Sequence, residues 1–254
     1  SFLGVAGGLD VFVNGKYVGY SEGSHNTSEF ELNDYLTEGE NHLVVVNHKW
    51  TNGTYLECQD MFRDNGIFRD VLLYKNEKNS IYDFEAKTKF NNDLTYDLTI
   101  LPSLKLVDEC ELSATVFDDG ELVATKSINV DSKQIDKITF SSLNVMDCAA
   151  AATELYTLVV SLSKGGELVE LVRRPIGFKH IKIIGNVFTF NNKNIKLFGV
   201  NHHDTNPKTG YVMTVEDMEQ DVRLVKEYNG NCIRTSHYPP DPTFLDLCDE
   251  YGIY

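Results

Sequence analysis

The feature that most constrains this chain is a change of pattern near residue 183. Before that point apolar and polar residues alternate in short runs between turn signals, the period of two expected of half-buried strands. After it, apolar strand runs alternate with amphipathic segments of helical period. A chain that carries these two patterns in succession cannot be a single sheet or a helical bundle. Antiparallel β layers must come first and an α/β layer after them.

In the first part, Leu9-Asp10-Val11-Phe12-Val13 runs into Asn14-Gly15 and then Tyr17-Val18-Gly19-Tyr20. Asn-Gly between two such runs favours a type I′ hairpin turn, since both central residues need positive φ. Further strands are predicted over 28–32, 41–48 and 68–74, and residues 76–80, Asn-Glu-Lys-Asn-Ser, form a polar break. Strands are then predicted near 81–89, 95–104, 111–117, 121–128, 135–140, 155–163 and 167–173. Their number, with turns at Asp118-Asp119-Gly120 and Lys164-Gly165-Gly166, suits an immunoglobulin-like sandwich, although the Cys-Trp-Cys pattern of antibody domains is missing.

From residue 183 a hairpin is predicted, Ile183 to Phe190 with residues 191–194 as its turn, leading into an apolar strand over 195–200. Thr214 is placed to cap a helix on which Val215, Met218, Val222 and Val225 share a face, with Asp217 at the third helical position. A second strand over 231–234 follows. The next helix has Asp241 as its cap, Pro242 at its first position and Gly252 as its terminator. A third strand is predicted to begin by Tyr254. Two βα units cannot close a barrel or cover both faces of a parallel sheet, so they read as the start of a larger parallel domain. The expected domains are 1–77, 78–182 and 183–254.

A formal net charge of −15 on 254 residues would repel a phosphate backbone, which argues against a nucleic-acid partner. The five cysteines are widely spaced with no C-x-x-C pair, consistent with reduced thiols in a cytoplasmic protein rather than a zinc or redox site. No apolar run approaches the length that spans a bilayer, and the start lacks the pattern of a signal peptide. Without an initiator Met, the natural chain is expected to begin earlier.

In parallel barrels functional side chains gather at the C-terminal ends of strands. Here those ends read Asn201-His202-His203-Asp204-Thr205-Asn206-Pro207 and Arg234-Thr235-Ser236-His237-Tyr238-Pro239-Pro240, which hold three of the seven histidines. Imidazoles at such a place suit directional hydrogen bonds to sugar hydroxyls. Loop packing is the structural alternative. A metal bound by His202, His203, Asp204 and His237 is a third reading, weakened because adjacent residues leaving a strand point to opposite sides. A Ser236–His237 nucleophilic pair is weaker still, since no G-x-S-x-G elbow surrounds the serine.

Phe198-Gly-Val-Asn-His-His-Asp204 and Asn231-Cys-Ile-Arg-Thr-Ser-His-Tyr-Pro239 resemble the barrel entry of family 2 glycoside hydrolases. Tyr55-Leu-Glu-Cys-Gln-Asp-Met61 with Gly66-Ile-Phe-Arg-Asp-Val71 is similar to a segment of the jelly-roll domain in β-galactosidases of that family. Val13 to Gly19 and Gly39 to Val44 fit the same likeness. The resemblance covers the chain in domain order. It implies a mainly β, multidomain protein with part of a sugar-binding jelly-roll sandwich, an immunoglobulin-like sandwich and the first βα units of a truncated TIM (β/α)8 barrel.

By that likeness the parent enzyme would hydrolyse terminal β-D-galactosides such as lactose with retention, using two carboxyl groups about 5 to 5.5 Å apart. Both are glutamates on later barrel strands in the family, so no catalytic residue is expected within this chain. Asp60, His203 and His237 match family residues that touch the sugar, with Asn201, Arg234 and Tyr238 supporting them. Asp60 would also hold a sodium ion. Magnesium is implied for the full-length enzyme through residues beyond Tyr254, and a homo-oligomer is expected there.

Four departures from the family pattern bear on the sugar site: Cys58 for an acidic residue, Phe62 for Trp, Ala6 for a galactose-contacting Asn, and Ser24-His-Asn-Thr27 for Ser-Arg-Leu-Pro. A β-glucuronidase or β-mannosidase of the same family, a non-catalytic carbohydrate-binding module and a subunit that complements a second chain are the other readings.

Overall fold

The computed structural model describes residues 1–254 except 58, 92 and 150–152, so the departure at Cys58 lies outside the described residues. Cα proximity divides the chain into two compact units, residues 1–74 with 198–254 and residues 75–197.

The first segment contains β1 (Val5–Ala6), β2 (Gly8–Val13), β3 (Lys16–Glu22), β4 (Leu43–His48), the short helix α1 (Asn52–Leu56) and β5 (Gly66–Ile67). β3, β2 and β4 form an antiparallel sheet in that order, and β1 pairs with β5. Asn14 and Gly15, with φ of 52° and 76°, make the predicted tight turn. Leu9 and Val11 alternate inward and pack with Phe2 and Val5.

Two predicted strands do not form. Ser28 and Val71 each make only an isolated bridge, both to Phe2, and residues 29–32 and 72–74 join no ladder. Alternation marks which face is apolar, but a strand also needs a partner along its length, and here one residue is shared between two segments. Phe30 still turns inward, edge-on to Phe2 at 6.0 Å.

The second unit is a two-sheet sandwich. Its strands are β6 (Ser80–Phe90), β7 (Tyr96–Lys105), β8 (Cys110–Asp118), β9 (Glu121–Val130), β10 (Ile138–Leu143), β11 (Leu155–Lys164) and β12 (Glu167–Gly177). One sheet has the order β10-β7-β6 and the other β12-β11-β8-β9. Period-two alternation carries Tyr96, Leu98 and Ile100 of β7, Leu112, Ala114 and Val116 of β8, and Leu158, Val160 and Leu162 of β11 into one core. The intervening hydroxyls pair across strands instead, Ser113 with Ser127 at 2.8 Å and Thr115 with Thr125 at 2.9 Å.

The hairpin β13 (Ile181–Ile184) and β14 (Val187–Phe190) turns at Gly185 and Asn186, and the short β15 (Lys193–Asn194) pairs back on β14. Lys193 and Asn194 are therefore strand rather than the predicted turn, because their backbone finds a partner in Thr189 and Phe190.

β16 (Gly199–His202) and β17 (Cys232–Thr235) pair in parallel, with α2 (Val215–Glu227) between them in sequence and α3 (Pro242–Tyr251) after them. β16 lies later than the predicted 195–200, because the parallel ladder begins at the Gly199–Cys232 pair and leaves Leu197 and Phe198 exposed. At Gly199 a Cβ would lie 1.8 Å from the Cys232 carbonyl oxygen, so this close approach requires glycine. Thr214 and Asp217 form a reciprocal capping box on α2. Asp241 caps α3, and Gly252 ends it in the left-handed conformation at φ 67°.

Met218, Val222, Phe244 and Leu247 pack the two helices together, whereas Val215, predicted on that face, is exposed. Val215 is the first residue of α2 and lies outside the cluster that packs the helices, which begins at Met218. Tyr254 exchanges backbone bonds with Asn231 and Ile233 on the far edge of β17. Among the described residues no helix is long and apolar enough to cross a membrane.

Replacing Leu158, fully buried in the sandwich core, with alanine is expected to cost about 2–5 kcal/mol in urea unfolding. Leu168→Ala on the exposed edge of the same sandwich should fall within about 0.5 kcal/mol of wild type.

Candidate functional site

The parallel register sets Asn201 opposite Arg234 and His202 opposite Thr235, and Ser236 continues the pairing by donating its backbone N–H to the His202 carbonyl at 2.9 Å. The next residues on the two strands are His203 and His237. Their rings meet edge to face with centroids 5.7 Å apart, so the structure brings together the two histidines singled out from the sequence. Arg234 Nη1 donates to Asn201 Oδ1 at 3.4 Å, and both residues are exposed.

Strand alternation separates the neighbouring histidines. His202 turns to the helix layer, where its ring stacks on Phe244 of α3 at 4.5 Å and its Nε2 lies 2.9 Å from Asp221 Oδ2 of α2. His203 turns the other way. Among the described residues no group of three His, Cys, Asp or Glu side chains converges as a metal site, and His202, His203, Asp204 and His237 do not form the ligand set considered above. Ser236 is buried, and its hydroxyl donates to the Arg234 carbonyl at 3.3 Å, an arrangement that holds the turn.

Tyr238 ties the two strand ends together. Its hydroxyl oxygen accepts the Asp204 backbone N–H at 2.9 Å and lies 3.4 Å from His203 Nδ1. Its ring is stacked on His25 of the N-terminal segment, with centroids 3.8 Å apart and planes 17° from parallel. Burial, followed by the nearby Asp204 carboxylate, pushes the Tyr238 phenol up to about 12.

Arg69 is the second link, and sequence reasoning did not single it out. Its side chain is 7% exposed. The guanidinium donates to Asp204 Oδ2 at 3.1 Å, to the Pro239 carbonyl at 3.0 Å and to the His25 carbonyl at 3.2 Å, and lies 3.8 Å from Asp241 Oδ2. Asp204 Oδ2 also accepts the Asp241 N–H at 3.2 Å. A third link is made by Asp64, whose carboxylate accepts the Tyr211 N–H at 3.1 Å, and by the Tyr211 hydroxyl, which donates to the Phe62 carbonyl.

Asp64 carried no usable signal, since its partner lies far along the chain, whereas His25 lay within the 24–27 departure from the family pattern although nothing local showed that it meets Tyr238. Arg69 lies inside the Gly66 to Val71 motif and could have been found there. His25 is 7% exposed, and among the described residues its Nε2 has no hydrogen-bond partner. Burial first, and then the Arg69 guanidinium, drive its imidazole down to about 3.

Asp60 is exposed, with φ of 55°. No interaction among the described residues joins it to His203 or His237, so the site drawn from the sequence is assembled in its histidine half. A small cleft of about 30 Å³, room for a water rather than a sugar ring, is lined by Ala6, Ser24, His25, Glu57, Met61 and Tyr211 among others. A second cleft of about 280 Å³ lies past Asp64, Gly66 and Tyr211. Neither is lined by His203 or His237. Ala6, one of the departures named above, is among the residues that line the first cleft.

Residues 1–77 match the sugar binding domain of glycosyl hydrolases family 2, and residues 181–254 match the TIM barrel domain of the same family. The chain belongs to glycoside hydrolase family 2. It is 40% identical over 260 residues to a beta-galactosidase of Actinobacillus pleuropneumoniae and 39% identical over 259 residues to one of Halalkalibacterium halodurans, and each alignment takes in 100% of this chain. It spans about a quarter of the length of these curated relatives, 24% and 25%. In fold it is similar to a beta-glucuronidase of Bacteroides uniformis, with a TM-score of 0.90 at 23% identity over 99% of this chain and 32% of that one.

Because His25 stays neutral in the fold down to about pH 3 while an unfolded histidine takes a proton near 6.5, the unfolded chain binds more protons in between. Stability from this residue is intact above about pH 6.5 and is lost as the pH falls toward 3, by up to about 1.4 kcal/mol per pH unit. Urea midpoints measured from pH 7 to pH 4 should fall more steeply for wild type than for His25→Phe. Removing the guanidinium by Arg69→Ala leaves Asp204 buried without its charge partner and is expected to cost about 3–5 kcal/mol, with Arg69→Lys recovering part of it.

Proposed function

We propose that this chain supplies the sugar-positioning part of a retaining β-galactosidase that cleaves terminal β-D-galactosides. The observation that carries the reading is the pairing of His203 with His237 at the ends of two adjacent parallel strands, 5.7 Å apart, where a barrel gathers its functional groups. Two imidazoles there can donate to or accept from vicinal sugar hydroxyls, and Asn201 and Arg234 extend the polar rim on the same strands. Identities of 35–40% to curated β-galactosidases along the whole chain favour galactose as the sugar.

In this proposal Asp60 adds a carboxylate from the jelly-roll side, where it would serve both a sugar hydroxyl and a sodium ion. The acid/base and nucleophilic glutamates belong to later barrel strands, at the separation of about 5 to 5.5 Å that retention requires. Histidine contacts contribute to rate only insofar as they strengthen as the oxocarbenium-like state forms. Hydrolysis of a β-glucuronide is the second reading. Arg234, exposed three residues before His237, is the group that would meet the additional carboxylate.

The complete reading frame that encodes these residues should hydrolyse a chromogenic β-galactoside at least about tenfold faster, by kcat/KM, than the matching β-glucuronide, a gap of about 1.4 kcal/mol. His237→Ala should lower the galactoside rate by a hundredfold or more, about 2.7 kcal/mol of transition-state stabilisation. Cleavage of the glucuronide alone would overturn the galactoside reading.

A further inference from the structure

We propose that Tyr238 and His25 are positioning residues that hold His203 in a single tautomer, with its proton on Nε2. The role rests on reading His203 as a sugar contact, but the geometry behind it is independent of which sugar is bound.

A phenol has one proton to give and lone pairs to accept with. One lone pair of Tyr238 Oη is taken by the Asp204 backbone N–H at 2.9 Å. The proton needs an acceptor, and among the described residues the one in reach is His203 Nδ1 at 3.4 Å. A neutral imidazole carries its hydrogen on one nitrogen and accepts at the other. Acceptance at Nδ1 therefore leaves Nε2–H as the donor of the ring. Because the amide that anchors the phenol is that of Asp204, the residue after His203, hydroxyl and imidazole are fixed to the same turn of backbone.

His25 sets the plane of the phenol. It stacks on Tyr238 at 3.8 Å and is itself walled by Phe68 at 5.0 Å and Tyr211 at 5.3 Å, and Tyr211 also meets Tyr238 at 6.5 Å. With His25 and Tyr211 both against it and Phe68 packed behind them, the tyrosine has little freedom to swing its hydroxyl away from His203. The imidazole is neutral there, so it adds packing without a competing charge, and the phenol keeps its proton until about pH 12.

The test is the two-bond 1H–15N spectrum of the histidine rings in this chain, uniformly 15N-labelled and free of sugar, with His203 assigned by a His203→Gln control. In wild type His203 is expected as the Nε2–H tautomer. Tyr238→Phe, which keeps the ring and removes the hydroxyl, should shift His203 to a mixture containing Nδ1–H. His25→Ala should do so in part, and His25→Phe, which restores a flat ring, should return the wild-type spectrum. An Nδ1–H tautomer in wild type would overturn the proposal without any variant. An unchanged Tyr238→Phe spectrum would overturn the role of Tyr238, and an unchanged His25→Ala spectrum that of His25. The tautomer is read without substrate, so a failure of galactoside hydrolysis would leave this result standing, and a failure here would leave hydrolysis by the wild-type enzyme untouched.

Discussion

The buried guanidinium of Arg69 is the constraint on which the first unit depends. An arginine side chain 7% exposed is costly to desolvate, and it persists only where several acceptors meet its fork of donors. Here they come from three places. Asp204 follows β16, Pro239 and Asp241 follow β17, and His25 belongs to the N-terminal β segment. Satisfying one cation therefore fixes both strand-end turns against the same N-terminal β segment. Lysine could not do this, since it lacks the planar, divergent donors that reach two carboxylates and two carbonyls together.

With those turns fixed, the pleat of β16 decides what each histidine does. His202 is committed to the helix layer by Asp221 and Phe244, where it helps hold α2 and α3 on the strands. His203, one residue on, faces His237 and Tyr238. Two chemically identical neighbours thus meet different partners, one the helices and the other His237 and Tyr238, because a strand sends successive side chains to opposite faces. The same principle lets the second unit bury its β7, β8 and β11 alternates while their hydroxyl neighbours pair outside.

Much of this was legible in the residues. The Asn14-Gly15 turn, the Thr214–Asp217 capping box, the Asp241 cap with Pro242 after it, and the Gly252 terminator all depend on groups within a few residues of one another. The meeting of His203 with His237 was legible too, since parallel pairing sets the ends of the two strands side by side. Less legible were the predicted strands over 28–32 and 68–74, which had the right alternation but no continuous partner, and Val215, which had the right period but no neighbour to cover it. Periodicity reports the face a side chain prefers. It does not report what is there to meet it.

The sequence by itself determined the local grammar of this protein: two β layers followed by βα units, their turns and caps, and the family to which the motifs belong. Tertiary structure decided which of those residues meet. The Arg69 pairings with Asp204 and Pro239 join positions 135 and 170 residues apart, and His25 reaches Tyr238 across most of the chain. Burial of a charge and stacking of rings depend on groups that only the folded chain brings within a few ångströms, and no local spacing encodes them.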